Sequence, residues 1–106
     1  MDANSVTLAG EITAIEPLRH TPAGLPLVNF KLKHRSLQIE AGIQRQTEFE
    51  AGAVAIGEIA TVVSKFQSGD RVTVEGFLAA KRRMGAQLGT QLVLHIKHIT
   101  PIQQPA

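Results

Sequence analysis

A short run of cations is the part of this sequence best suited to bind a charged ligand. Lys81, Arg82 and Arg83 are consecutive, and two glycines follow within the next six residues. Apolar and polar residues alternate on both sides of the run, over 71–79 and 91–99. This pattern predicts a β-hairpin whose long tip carries the three cations. Such a tip can contact the phosphates of a polyanion.

A second group of cations alternates along a single segment. Lys31, Lys33 and Arg35 are two residues apart, so in a β-strand they lie on one face at intervals of about 7 Å. Phosphates follow one another along a nucleic acid strand at a similar spacing. The other interpretation is a solvent-exposed face that charge keeps soluble, because lysine also protects edge strands from unwanted pairing.

Charge is distributed unevenly along the 106 residues. Residues 1–75 carry seven basic and nine acidic side chains, whereas residues 76–106 carry four basic side chains and no acidic one. A polyanionic partner explains this asymmetry, and an ordinary solvated surface explains it equally well. The charge pattern therefore raises the expectation of a nucleic acid partner without deciding it.

The composition excludes several classes of protein. There is no cysteine, so disulfides and thiolate chemistry are absent. No apolar run is long enough to span a membrane, and the N-terminal residues lack the basic and apolar blocks of a signal peptide. We therefore expect a soluble, cytoplasmic protein with no membrane segment.

Five segments show the alternation of a strand with one buried face. They are residues 6–13, 27–35, 43–49, 71–79 and 91–99. Gly10 indicates a bulge or a sharp bend in the first strand. Proline and glycine predict a loop over 17–26, and a second loop is predicted over 36–42. Apolar residues recur at helical spacing within 50–66, which predicts one short helix with Phe66 in the core.

The order of the predicted elements is strand, strand, strand, helix, strand, strand. This is the order of the OB-fold, an all-β barrel of five strands with a helix between the third and fourth. One apolar face on each strand is also what a closed barrel requires. An open five-stranded sheet is the alternative. The chain is short enough that residues 1–106 are expected to form this single domain.

An OB-fold binds oligonucleotides with its second and third strands and with the loops that join strands one and two and strands four and five. Both groups of cations fall on these parts, so we expect the chain to bind single-stranded nucleic acid. Phe77 alternates onto the solvent face, where it could stack on a base or contact a second copy of the chain. Arg19 and His20 lie in the first loop within reach of a ligand, although exposed loops often carry such residues without a function. The predicted contact residues are Lys31, Lys33, Arg35, Arg45, Lys81, Arg82, Arg83 and Phe77.

Several motifs distributed over nearly the whole chain carry a resemblance. They lie at residues 8–10, 22–26, 34–38, 40–42, 45–46, 74–77 and 92–95. The run from His34 to Gln38, followed by Glu40-Ala41-Gly42, is the most specific because it is long and mixed in chemistry. These motifs resemble the family of primosomal replication protein N, the PriB proteins of bacterial replication restart, which are related to the single-stranded DNA-binding protein SSB.

The resemblance implies a homodimer of OB-folds that binds single-stranded DNA. It implies the primosomal helicase PriA as a partner, with SSB and other primosome proteins as further candidates, and neither catalysis nor a cofactor. It places the basic loop of the family at 81–83 and the DNA surface of the third strand at Ile43, Arg45 and Glu48. Some members have phenylalanine and tryptophan at positions 43 and 48, whereas this chain has no Trp or Tyr. Attraction to phosphates must then supply most of the affinity.

Three other functions have to be weighed against single-stranded DNA binding. The chain could be mainly a protein–protein adaptor with weak DNA affinity, or an RNA-binding OB module, because no residue reports a contact to a 2′-hydroxyl. A small nuclease would need convergent carboxylates or histidines. The acids are scattered, and His95 and His98 face opposite sides of one strand, so we do not predict an enzyme.

Overall fold

The computed structural model describes residues 1–81 and 91–103, and these form six strands and one short helix. The hairpin tip that was expected to carry Arg82 and Arg83 lies outside the described residues. The elements are β1 (Val6–Ile15), β2 (Arg19–His20), β3 (Pro26–Glu40), β4 (Ile43–Ile56), α1 (Glu58–Val63), β5 (Arg71–Ala80) and β6 (Leu92–Pro101).

The predicted five-stranded OB barrel is confirmed. The strand order is β1-β5-β6-β4-β3-β2, and an additional pairing of β1 with β3 closes the sheet on itself. All contacts in the ring are antiparallel except the short parallel pairing of β4 with β6, at Ala53–Leu94 and Val54–His95. The two-residue β2 lies within the predicted first loop, where Arg19 pairs with Leu27 and adds an edge to β3.

β1 belongs to both halves of the barrel because it changes partner along its length. Residues 6–11 pair with β5 and residues 11–15 pair with β3. Gly10 is buried at this change of partner, and a Cβ atom there would collide with the carbonyl oxygen of Lys33. The irregularity expected at Gly10 lies slightly further along, between Ile12 and Ala14. Glycine is therefore required for the close approach of two backbones.

The core fills the barrel with aliphatic side chains from every long strand, and α1 covers one end. Ala60 and Val63 of α1 are fully buried, and Phe66 packs against the core as predicted. The largest fully buried side chains are Ile12, Leu32, Val28, Val63, Val72 and Val74. No helix among the described residues is long and apolar enough to cross a membrane.

The predicted start of the helix was wrong. Residues 50–56 continue β4, and α1 begins only at Glu58. Ala53 lies opposite Phe30 and Ala55 lies opposite Val28, so small residues of β4 make room for larger ones inside the barrel. Helical spacing and strand alternation coincide in this alanine-rich segment, and pairing with a long neighbouring strand decides between them.

The loop predicted over 36–42 was also wrong. β3 and β4 stay paired until Glu40 faces Ile43. Only Ala41 and Gly42 form the turn, both with positive φ (53° and 76°), as a two-residue type I′ hairpin turn requires. Within the part of the chain that the structure describes, residues 36–47 pair only with each other, and we call this two-stranded projection the arm.

Candidate nucleic-acid interface

A groove is lined mainly by residues of β3, β4 and β6, with Val6 and Leu8 of β1 and Leu78 of β5 in its second cavity. It consists of two adjoining cavities of about 450 and 690 Å³ that share Lys31, Gly52, Lys81 and Val93. Arg19 of β2 lines the first cavity. The groove thus lies between the loop that joins the first two long strands and the chain that leaves β5, where OB-folds hold oligonucleotides.

The floor of the groove is open because Gly52 has no side chain. A Cβ atom at Gly52 would meet no atom of residues 1–81 and 91–103 within 4 Å. Lys31 lies directly opposite Gly52 on β3, and Lys81 follows the end of β5, where its backbone N–H donates to the carbonyl oxygen of Gln91. A flat group such as a nucleobase can therefore lie over Gly52 with cations beside it.

Arg19 is a groove residue that the sequence analysis placed within reach of a ligand but did not include among the predicted contact residues. Its neighbours suggested an unstructured loop, but the β2 pairing of Arg19 with Leu27 draws it onto the sheet that forms the groove. The proline-rich composition of 17–26 concealed this two-residue strand. The only signal was the position of the residue in the loop that OB-folds use for ligands.

The three cations of β3 lie on one exposed face as predicted, and we call Lys31, Lys33 and Arg35 the ladder. Each is paired with a carboxylate of β4. Lys33 Nζ is 3.2 Å from Glu48 Oε1 and Arg35 Nη2 is 3.4 Å from Glu48 Oε2. Lys31 Nζ is 3.8 Å from Glu50 Oε1. The ladder therefore presents much less free positive charge than a count of its cations implies.

Charges of opposite sign alternate across this face of the sheet. Along one cross-strand row, Arg71 of β5 is followed by Glu11 of β1, Lys33 of β3 and Glu50 of β4. The hydrogen bond from Lys33 and the charge of Arg35 hold the pKa of the Glu48 carboxyl below its usual value of 4.5. Glu48 thus remains an anion over the physiological pH range.

Phe77 is half-buried on the outer face of β5 and its ring already has a partner. It stacks on His95 of β6 with ring centroids 4.9 Å apart and planes inclined by 11°, because the two residues are opposite each other in the β5–β6 pairing. Lys97 Nζ lies 5.7 Å from the centroid of the Phe77 ring. A base could stack only on a surface of the Phe77–His95 pair that remains open.

A histidine fixes the base of the arm to the barrel. Nδ1 of His34 lies 2.7 Å from the carbonyl oxygen of Ala9, so Nδ1 carries the proton that this bond needs. Nε2 lies 2.7 Å from Ser36 Oγ, and the ring packs against Phe49 at a centroid distance of 5.0 Å. The direction of the arm is therefore set by contacts with β1 and β4.

The structure separates the predicted contact residues into groups. Lys31 and Lys81 meet in the groove, whereas Lys33 and Arg35 continue from it toward the arm. Arg45 lies on the arm and pairs with Glu40 at 2.7 Å. Phe77 lies on a different part of the sheet, next to His95, and Arg82 and Arg83 are outside the described residues. The prediction that all eight bind nucleic acid remains a prediction.

Comparisons with known proteins agree with this architecture. A family model described as another single-strand binding protein family matches residues 4–98. The replication restart protein PriB of Nitrosomonas europaea is 46% identical over 97 residues, which cover 92% of this chain and 86% of the relative. A solved structure of PriB from Ralstonia solanacearum has a TM-score of 0.85 at 31% identity and covers 96% of this chain and 100% of that one.

More distant structures share the fold alone. The single-stranded DNA binding protein of Thermus aquaticus has a TM-score of 0.75 at 24% identity and covers 95% of this chain and 50% of its own length. The PriB similarity extends over the barrel, the arm and the groove, as the motifs in the sequence indicated. The chain therefore belongs to the PriB family of replication restart proteins, whose members have the OB-fold of single-strand binding proteins.

Proposed function

We propose that the protein binds single-stranded DNA during replication restart and that the strand lies in the groove. The observation that carries the proposal is the position of the groove, between β2 and the end of β5, on the face that OB-folds use for oligonucleotides. Arg19 and Lys81 supply positive charge along it, and Lys31 is paired there with Glu50. The names of the relatives support replication restart as the process.

Attraction to phosphates supplies most of the affinity in this proposal. Stacking on an aromatic ring contributes about 1–3 kcal/mol per base in other single-strand binding proteins. Here the chain has four phenylalanines and no Trp or Tyr. Phe30 is buried, Phe66 packs on the core and Phe77 lies against His95. Phe49 lies against His34 but is 40% exposed and lines the second cavity, so its ring is the one that a base in the groove can reach. Binding should be tolerant of sequence, with log K falling by about 0.7 per phosphate neutralised for each tenfold rise in salt.

Titration of a fluorescent single-stranded DNA across salt concentrations tests the proposal. Lys81→Gln should weaken binding about three- to fivefold at low salt and reduce the salt slope by about 0.7, because one phosphate contact is lost. Lys65→Gln, which removes the same charge just beyond α1, is the matched control and should bind as the unmodified chain does. No binding by the unmodified protein at low salt would reject the proposed function.

The same titration with RNA of identical sequence addresses the alternative of an RNA-binding module. Preference for RNA would require a contact to the 2′-hydroxyl, so tighter RNA binding would replace single-stranded DNA as the ligand. We propose binding without catalysis, and the oligonucleotide should be recovered intact after incubation with divalent metal. Among residues 1–81 and 91–103, no three His, Asp or Glu side chains are close enough to hold a metal ion.

We also propose that the protein links this DNA to the PriA helicase. The arm supports the link because Leu37 and Ile39 expose apolar side chains on the same face of it, at 68% and 75% exposure, and neither lines the groove. A protein could therefore contact the arm while DNA occupies the groove. Large exposed aliphatic side chains are typical of contact surfaces when they cluster.

Co-precipitation of PriA, with and without oligonucleotide, tests this link. A complex of all three components that is lost in a Leu37→Ser, Ile39→Ser variant would support it. Mutual exclusion of PriA and DNA would show a shared surface and would favour the adaptor with weak DNA affinity. No co-precipitation under either condition would reject the link to PriA and leave the groove proposal intact.

A homodimer is the third part of the proposal. Residues 6–10 of β1 pair with β5 on one side, and no strand among the described residues pairs with their other side. Such an edge can accept a strand from a second copy, which would also enlarge the small core of an 11.4 kDa chain. Light scattering should give twice the mass of one chain, and a monomer at all concentrations would reject the dimer.

A further inference from the structure

The ladder is already occupied by carboxylates in the free protein. Glu48 bridges Lys33 and Arg35 with its two oxygens, at 3.2 and 3.4 Å, and Glu50 is 3.8 Å from Lys31. The strand register imposes this arrangement, since Arg35 lies opposite Glu48 and Lys33 lies opposite Glu50. A carboxylate oxygen offers these cations the same type of charged acceptor as a phosphate oxygen.

We infer that Glu48 and Glu50 set the affinity of this face by competing with nucleic acid phosphates for Lys31, Lys33 and Arg35. The inference rests on the proposed function and adds a determinant to it. A strand that extends from the groove toward the arm has to displace the two carboxylates before it can use the ladder. The displaced carboxylates stay on the same face and repel the strand, so binding along the ladder is weak and quickly reversible.

The exposure of the ion pairs makes this displacement feasible. The ladder side chains and their carboxylate partners are between 40% and 64% exposed, and solvent-exposed ion pairs of this kind are weak because water screens them. A single strand presents a row of phosphates and can therefore replace several pairs together. The carboxylates therefore lower the affinity of the ladder for nucleic acid but do not prevent binding.

The two carboxylates differ in how firmly they are held. Besides its ion pair with Lys31, Glu50 accepts a hydrogen bond from the hydroxyl of Thr13 at 2.9 Å, so its carboxylate is held by contacts with both β3 and β1. Glu48 contacts two cations of the ladder, Lys33 and Arg35. Removal of the charge at Glu48 therefore frees two cations at once, and we expect its effect on DNA binding to exceed that of Glu50.

Three charge-neutralising variants test the inference. Glu48→Gln should bind single-stranded DNA about three- to tenfold more tightly at low salt, because two exposed pairs are released. Its salt slope should become steeper by about 0.7 for each additional phosphate neutralised. Glu50→Gln should give a smaller gain. The matched control is Glu58→Gln in α1, which changes the net charge equally but lies off the face and should bind DNA as the unmodified chain does.

Long-chain inorganic polyphosphate separates failure of this inference from failure of the proposed function, because it presents phosphates without bases. If the unmodified protein binds no DNA, the proposed function fails. Tighter polyphosphate binding by Glu48→Gln than by Glu58→Gln would still support competition between the carboxylates and phosphates for the ladder cations. Equal affinities of these two variants for both polyanions would overturn the inference. Thermal unfolding of each variant establishes that the comparison is between folded proteins.

Discussion

The cations of the groove and of the ladder differ in their surroundings, although Lys31 belongs to both regions and is paired with Glu50, which also lines the groove. Arg19 and Lys81 line the groove, and no carboxylate of the described residues lies within ion-pair distance of either. Lys33 and Arg35 lie on the neighbouring face and share Glu48. The number of cations on a surface therefore does not measure the charge available to a ligand. The residues that lie opposite the cations on the neighbouring strand determine how much charge is available.

Filling the groove should have the largest effect on DNA affinity. It also separates the contribution of the groove's shape from the contribution of its charge. Gly52→Leu adds a side chain where a Cβ atom meets no atom of the described part of the chain within 4 Å, and it changes no charge. We expect the affinity for single-stranded DNA to fall about tenfold or more, which corresponds to the loss of about one well-placed base. Fluorescence anisotropy at fixed salt measures the loss.

The size of the new side chain provides the control for this variant. Gly52→Ala should reduce the affinity less than Gly52→Leu, and both should unfold at nearly the temperature of the unmodified chain because the groove is outside the core. If the Gly52→Leu variant binds DNA as tightly as the unmodified chain, the groove does not hold the strand. The ladder would then be the better candidate.

Removal of a complete ion-pair group should have a smaller effect than removal of one groove cation. The triple variant Lys33→Gln, Arg35→Gln, Glu48→Gln lowers the net charge by one, as Lys81→Gln does. We expect it to lose less than about twofold in DNA affinity, because the paired charges largely cancel, whereas Lys81→Gln loses about three- to fivefold. Titrations at the same low salt concentration compare the two, and a larger loss in the triple variant would contradict the distinction.

Much of the fold could be predicted because alternation is a local signal. The apolar faces of β1, β5 and β6 and the single helix before β5 were enough to identify the OB order. The boundaries of β3 and β4 could not be predicted in the same way. Residues 36–47 are mostly polar and exposed, so no buried face marks them as strands, and their pairing is fixed by a turn of only Ala41 and Gly42.

The candidate site was predictable in its residue types and not in its electrostatics. The spacing of Lys31, Lys33 and Arg35 correctly placed them on one face. Their partners, Glu48 and Glu50, are 13 or more residues further along the chain, and only the cross-strand register brings them together. Register depends on the two-residue turn at Ala41 and Gly42, where the sequence pattern predicts a longer loop over 36–42, so the sequence does not predict the neutralising carboxylates.

Loss of the Phe77 ring should affect stability more than binding. The ring stacks on His95, and such aromatic pairs contribute about 0.5–1.5 kcal/mol beyond the area they bury. Phe77→Leu should therefore lower the free energy of unfolding by about 1 kcal/mol and reduce DNA affinity less than about twofold. Urea unfolding and anisotropy titration measure the two quantities. A loss of affinity as large as that of Gly52→Leu would place a base on this ring and extend the interface beyond the groove.

The smallest expected effect is a change in the free energy of unfolding in acid. It reports on the ion pairs that Glu48 makes with the ladder. Lys33 and Arg35 hold the pKa of Glu48 below its usual value of 4.5, so the folded protein binds this proton less readily than the unfolded chain. The pairing therefore stabilises the fold above about pH 4.5, and this contribution is lost as the pH falls through the lowered pKa. Glu48→Gln lacks the contribution at every pH. Urea unfolding from about pH 7 to about pH 3 should show a stability difference between the two proteins that shrinks in acid. A difference that does not change with pH would mean that Glu48 is not paired in solution, and the ladder cations would then be as accessible to DNA as those of the groove.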